Sequence, residues 1–342
     1  MISRKICSFL AGLWMVWTGC ANAGDQVADF YRDQPLKIVV GLPAGGVYDL
    51  VARHVARELP KHIPGAPKVS VQNMPGAGSL KAADWLATQA PRNGSIIGSL
   101  ITNAVMQSAL GDQADSISRL SWLGSGEAVT RVCYASSAAF GKIAEQGLRD
   151  RAYILGATGA GSTFSDFAQL FRRALGPSVR IVAGYAGSAE LALALERGEI
   201  EGVCGATLQG LSIEHPDWRA QKKIALFLRF SETAQSSDTA SLPAYLDLLP
   251  EEDRAAARLL FQQDLFPRTW ASPPDVPAER LNALRQAFTL MFRSDEFRTA
   301  MAQSGIDLAP LSFDELERTI AGIREASPDL KARARAMTQA AP

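Results

Sequence analysis

Apolar and polar positions along the chain alternate between two periods. Leu36–Leu42 (LKIVVGL) is a short, β-branched apolar run that predicts a strand, and it meets Pro43-Ala44-Gly45-Gly46. From Asp49 onward, Val51, Ala52, Val55, Ala56 and Leu59 recur at helical spacing. The same alternation continues. Val69–Gln72 and Ile96–Ile101 predict strands, with a helix at Leu80–Leu86 between them. Further strands are predicted at Val132–Ala135, Ala152–Leu155, Arg180–Ala183, Gly202–Cys204 and Lys223–Leu228, and helices at Phe140–Gly147, Phe164–Leu175 and Ala189–Glu196. After Pro277 the chain reads as helical, with turns near Ser294, Gly305 and Ser327-Pro328. Strands alternating with helices of about ten residues predict a parallel, doubly wound α/β arrangement.

The first residues follow another pattern. Arg4 and Lys5 precede an apolar stretch, Ile6–Thr18, and Ala21-Asn22-Ala23 then supplies a small-x-small site. This is the layout of a secretory signal peptide, with cleavage expected after Ala23. The apolar run is shorter than the ~20 residues of a spanning helix. An uncleaved anchor is one alternative. A lipoprotein is another, because Thr18-Gly19-Cys20 resembles the end of a lipobox, although Trp17 stands where Leu is usual.

Composition narrows the function classes. The 342 residues are 47% hydrophobic and 20% charged, ordinary globular values with room for two domains. Lys+Arg and Asp+Glu both number 35; without residues 1–23 the balance is 33 basic against 35 acidic. Nothing in this balance asks for nucleic acid or an anionic membrane. Three His and four Cys are too few and scattered for a zinc cluster, so no metal and no cofactor are expected. Export would leave Cys133 and Cys204, both in apolar β-like runs. A disulfide formed in an oxidising compartment and two buried thiols fit equally well.

Three strand-to-helix turns carry Gly and small hydroxyls: Pro43–Asp49, Ala157–Thr163 and Gly184–Ser188. Ligands of open α/β sheets bind beyond the carboxyl ends of strands, and free N–H groups at helix starts attract anions. Three such turns meeting would form a carboxylate or phosphate site without Lys or Arg. The candidate lining is Gly45, Gly46, Val47 and Tyr48 on one side, and Thr158, Gly161, Ser162, Thr163, Tyr185, Gly187 and Ser188 on the other. Asn103 is added because Thr102-Asn103 follows the third strand. Arg268, in the strand-like run Phe266–Pro273, is the candidate for a single charged contact, since Arg suits bidentate carboxylate recognition. Gly159-Ala160-Gly161-Ser162 lacks the Gly-Lys-Ser/Thr of a P-loop and the third Gly of a dinucleotide fingerprint. No Gly-x-Ser-x-Gly elbow and no recognisable Ser/His/Asp order is present, so no catalytic residue is assigned.

Taken together, these motifs resemble a family. Gln34–Val40 running into Ala44-Gly45-Gly46-x-x-Asp49, then Asn73-x-Pro75-Gly76-Ala77-Gly78 and Pro91-x-Asn93-Gly94, look like signatures of the tripartite tricarboxylate transporter substrate-binding (Bug-type) receptors. Ala157–Ser162, Tyr185-x-Gly187-Ser188 and Leu195-x-x-Gly198-x-Ile200-x-Gly202 resemble the second-domain signatures. The resemblance implies a two-lobed, type II-like Venus-flytrap fold with two doubly wound sheets. Its lobe one would be 24–128 plus 228–342, and its lobe two 129–227. It further implies a periplasmic monomer that closes on a small organic acid and delivers it to membrane transporter subunits. Tyr48 stands where many members have a small residue, and the strand ending Gly202-Val203-Cys204-Gly205 lacks a common acidic residue. The expected pocket is therefore either small or shaped for an aromatic or apolar acid rather than citrate. The alternatives are an exported sensor lobe and an exported enzyme acting on carboxylates, with Ser162 or Thr163 as nucleophile.

Overall fold

The computed structural model describes residues 23–111, 115–127, 129–149, 151–232, 237–306 and 308–339. Residues 1–22 of the expected signal peptide, Cys20 among them, lie outside the described residues. Helix α1 (Ala23–Asp33) precedes β1 (Leu36–Val40). Then follow α2 (Val47–Glu58), β2 (Val69–Asn73), α3 (Leu80–Thr88), β3 (Ile96–Leu100), α4 (Thr102–Leu110) and β4 (Ser121–Gly124). A second group comprises β5 (Arg131–Ser136), α5 (Ser137–Gln146), β6 (Tyr153–Thr158), α6 (Thr163–Leu175), β7 (Val179–Tyr185), α7 (Ser188–Glu196), β8 (Gly202–Thr207), α8 (Leu208–Glu214) and β9 (Ile224–Arg229). Beyond it come α9 (Ser237–Ala240), α10 (Glu251–Phe261), β10 (Thr269–Ser272), α11 (Ala278–Arg293), α12 (Asp295–Gln303), α13 (Phe313–Glu325) and α14 (Pro328–Thr338).

The strands form two five-stranded sheets, β2-β1-β3-β10-β4 and β7-β6-β8-β5-β9. Both are mixed, which corrects the all-parallel expectation. β1 runs parallel to β2 and β3, whereas β10 is antiparallel to β3 and β4. β6 runs parallel to β7 and β8, whereas β5 is antiparallel to β8 and β9. The cause is connectivity. A parallel neighbour needs a return crossover, usually a helix. β5 is instead entered from β4 of the other sheet, and β10 from α10 beside the second sheet, at the ends where β8 and β3 finish, so they run the opposite way.

The central strands are apolar on both faces because helices cover both. Leu36, Ile38, Val39 and Val40 of β1 are at most 1% exposed, and β3 is buried throughout. Edge strand β2 is only half-buried and alternates with solvent. On the second sheet, Phe167, Phe171, Phe227, Phe230, Tyr153, Tyr245 and Phe261 form one aromatic cluster joined by edge-to-face, stacked and tilted ring pairs. Tyr245 donates its hydroxyl to the Leu170 carbonyl at 2.8 Å, so the chain between β9 and α10 stays against the second sheet. The C-terminal helix α14 also rests on α6 and α10. Cys133 of β5 and Cys204 of β8 are opposite one another in the ladder and form a disulfide, which settles the choice between bridge and buried thiols.

Two crossings join the sheets, one around residues 125–130 and one around 262–268. They lie side by side. The Ser125 hydroxyl donates to the Pro267 carbonyl at 2.6 Å, and the Val129 N–H donates to the Asp264 carbonyl at 3.0 Å. Two ion pairs run across them, Glu127–Arg268 and Arg131–Asp264.

Candidate functional site

Four strand-to-helix turns open onto one cleft of about 620 Å³ between the sheets. The β1–α2 turn is held by Asp49. Its Oδ2 accepts the Gly45 N–H at 3.0 Å, and its carboxylate binds Arg53 in a fork at 2.9 and 3.0 Å. The Arg53 hydrogen bonds hold the Asp49 carboxyl below the usual carboxylate range. Asn73 at the end of β2 donates to the Leu42 carbonyl at 2.9 Å, which fixes the turn from its other side. Gly46, Val47 and Tyr48 line the cleft; Gly45 is absent from the lining, and its N–H is already bonded to Asp49.

The β6–α6 turn is capped by Ser162. Its Oγ accepts the Ser165 N–H at 3.2 Å and the Thr158 hydroxyl at 2.5 Å. Gly161, at φ +73°, turns the chain into that cap, a conformation that favours glycine. Thr158, Ser162 and Thr163 line the cleft, as do Gly187 and Ser188 at the start of α7. The starts of α2, α6 and α7 therefore meet at the cleft with their first N–H groups. A fourth turn, from β8 into α8, escaped the sequence reading. Thr207 caps α8 through the Gly210 N–H at 3.0 Å. Gly205, at φ +89°, lies so near α6 that a Cβ there would sit 2.9 Å from the Thr163 carbonyl oxygen.

Three other expected residues lie elsewhere. Asn103 and Gly161 touch each other, amide to carbonyl, and line a second cavity of about 600 Å³. That contact joins α4 of the first sheet to the Gly-rich turn of the second. Tyr185 packs on the apolar cluster of Leu191, Ile200 and Val203 and is not part of the cleft lining. Beside Asn103, burial pushes the Asp166 carboxyl up to about 7.

Arg268 lines the cleft, yet it is not a free cation. It is 6% exposed, lies against Glu127, and stands 5.2 Å from the Tyr48 ring centroid. Burial lowers its pKa to about 10. It is not the only charged group either, since Arg131 and Glu214 share the lining. Arg131 pairs with Asp264 at 2.6 Å, donates to the Gly205 carbonyl at 3.1 Å and covers the Phe167 ring. Both cleft arginines are thus matched by carboxylates of the crossings. Tyr134 and His215 complete the polar lining. Arg131, Tyr134, Thr207, Glu214 and His215 had no local sequence signal beyond a Thr-x-x-Gly at Thr207. Among the described residues, no group of three or more His, Cys, Asp or Glu could hold a metal ion.

No protein-family model matches the chain, and no curated protein matches its sequence. Solved structures do match its fold. A TctC solute binding protein from Polaromonas, solved without ligand, is 19% identical with a TM-score of 0.59, over 90% of this chain and 99% of that one. The periplasmic binding protein BugD is 17% identical, with a TM-score of 0.63 over 89% and 98%. Rpa4515 of R. palustris, solved with adipate, is 17% identical, with a TM-score of 0.65 over 89% and 98%. The fold is that of the two-lobed periplasmic binding proteins, and no helix of the described residues is long and apolar enough to cross a membrane.

Proposed function

We propose that this chain is a periplasmic receptor that captures a small carboxylate and delivers it to a membrane transporter of the tripartite tricarboxylate type. The observation that carries this reading is the meeting of three helix starts in one interlobe cleft whose two arginines are already paired. Such a site binds an anion through backbone N–H groups and helix dipoles. The adipate in the similar Rpa4515 supports a carboxylate as the ligand. We place lobe one on 24–128 and the chain from β10 onward, and lobe two on 129 through α10, so the boundary expected at 228 moves to the second crossing because β9 and Tyr245 stay with the second sheet. Gly46, Val47, Tyr48, Thr158, Ser162, Thr163, Gly187 and Ser188 contact the ligand. Asn103 and Gly161 act as an interlobe contact. The chain is exported by residues 1–23 and works as a monomer.

The enzyme alternative finds less support. The Ser162 oxygen already accepts two hydrogen bonds as the cap of α6, so it is positioned for the helix rather than for attack. The test is a thermal-shift screen of mono-, di- and tricarboxylates, amides, aromatic acids and amino acids, followed by calorimetric titration. Saturable one-to-one binding of a carboxylate is expected. Binding confined to ligands without a carboxylate would refute the reading.

A further inference from the structure

Tyr134 differs from the other buried tyrosines. Tyr31, Tyr153 and Tyr245 donate their hydroxyls to the carbonyls of Gly94, Leu148 and Leu170 at 2.8–3.0 Å. Tyr134 is as buried as they are, at 4% exposure, and packs edge-on against Trp218 with ring centroids 6.4 Å apart. Yet its hydroxyl has no hydrogen-bond partner among the described residues, and it lines the cleft. A hydroxyl that opens on the cleft without a protein partner is free to bond a ligand there.

Glu214, the last residue of α8, lines the same cleft and is exposed. No salt bridge or hydrogen bond engages its carboxylate among the described residues. Burial, and then the charge of Glu214, push the Tyr134 phenol pKa upward, so the hydroxyl keeps its proton and can donate. His215 follows, stacked on Trp218 at 3.8 Å. Glu214, in the cleft lining, therefore differs from the carboxylates of the crossings. Glu127 and Asp264 neutralise Arg268 and Arg131, whereas Glu214 stands uncompensated by any such pair.

The position of Glu214 sets a length. α8 begins beside the start of α6, where Gly205 abuts Thr163. From Thr207 to Glu214 the helix rises roughly 10 Å. Glu214, at the far end of α8, shares the cleft lining with the starts of α6 and α7 and so is available to the other end of a linear ligand held there.

We propose that Tyr134 and Glu214 form a second recognition point that selects ligands with an ammonium or N–H donor at the end remote from the carboxylate, the ω-amino acids rather than the dicarboxylates. This rests on the carboxylate-receptor reading above. A second carboxylate would meet Glu214 as a like charge, whereas an ammonium meets it as an opposite one. Tyr134 adds a hydroxyl that orients the same end.

The experiment is calorimetric titration of the full mature chain with length-matched pairs: adipate against 6-aminohexanoate, glutarate against 5-aminopentanoate, succinate against 4-aminobutanoate. The amino acid of the best pair is expected to bind about tenfold tighter or more than its dicarboxylate. In Glu214→Gln that preference should vanish or invert, with thermal unfolding unchanged. Tyr134→Phe, which keeps the buried ring, should weaken the preferred ligand about fivefold to tenfold. Equal or tighter binding of the dicarboxylate in wild type, unaltered in Glu214→Gln, would overturn the assignment and leave the receptor reading standing. Absence of binding by every carboxylate in the wider screen would overturn both.

Discussion

The Cys133–Cys204 bridge gives a stability change large enough to calculate and to test. It joins neighbouring strands β5 and β8 and closes a loop of 71 residues. Cross-linking such a loop removes unfolded-chain entropy that grows with the logarithm of loop length, which for this span corresponds to about 4 kcal/mol at 25 °C. Both sulfurs are fully buried, so a Cys133→Ala, Cys204→Ala double variant also loses packing atoms, at roughly 1 kcal/mol or more in total. A change of that size shifts the unfolding midpoint of a chain this long by roughly 7 °C. The assay is thermal and urea unfolding of the oxidised protein, the protein reduced in denaturant, and the double variant. Thiol titration of the unfolded, unreduced protein should find no free Cys133 or Cys204. Two free thiols, or a double variant with an unchanged midpoint, would refute the reasoning. The bridge also accords with an oxidising compartment, where such bonds persist.

Asp166→Asn tests the half-buried carboxyl beside Asn103. Its folded pKa, near 7, lies above that of the unfolded chain, so the stability it contributes is present at low pH and is lost as pH rises from about 4 to 7. The variant should flatten this fall in the midpoint and exceed wild type at pH 8; an unchanged pH profile would contradict the burial argument. Ser162→Ala removes the cap of α6 and the acceptor of Thr158, and is expected to cost about 1 kcal/mol in urea unfolding and to weaken ligand binding. Arg268→Ala should destabilise by about 3–5 kcal/mol because it leaves Glu127 buried without its partner, so its effect must be read in unfolding as well as in titration. Tyr48→Phe keeps the ring beside Arg268 and removes only the hydroxyl, and a loss of about 1–3 kcal/mol in affinity would show that this hydroxyl bonds the ligand.

What the sequence made legible follows from how each element is buried. β1 and β3 are covered on both faces, so their apolar runs stand out, and amphipathic α2 and α6 show the helical period clearly. α4 does not, because eight of its nine residues are buried and no polar face marks the period. β4 is four residues long, too short to alternate. The Gly-rich turns were readable as a site because tight turns and close backbone approach demand Gly wherever they occur. Side chains were less readable. Tyr185 shares a turn with Gly187 and Ser188, but it is the last residue of β7 and packs on the helix-covered face instead. Arg131 and Arg268 become cleft groups only through acids far along the chain, Asp264 and Glu127, and no local spacing announces a partner more than 130 residues away.

Those two pairs explain how a cleft can hold buried arginines without becoming an indiscriminate anion trap. Glu127 and Arg131 are four residues apart on the first crossing, and Asp264 and Arg268 are four residues apart on the second. Because the crossings lie side by side, each arginine finds the acid of the other strand. Each arginine also touches a different lobe, Arg131 at Gly205 and Phe167, Arg268 at Tyr48. The pairs therefore fix the crossings to one another and to both walls of the cleft. Buried ion pairs contribute little net stability against apolar replacements, so their value here lies in registry rather than in strength. They also set the electrostatics of the site. With both arginines matched, neither presents an unpaired cation to the cleft.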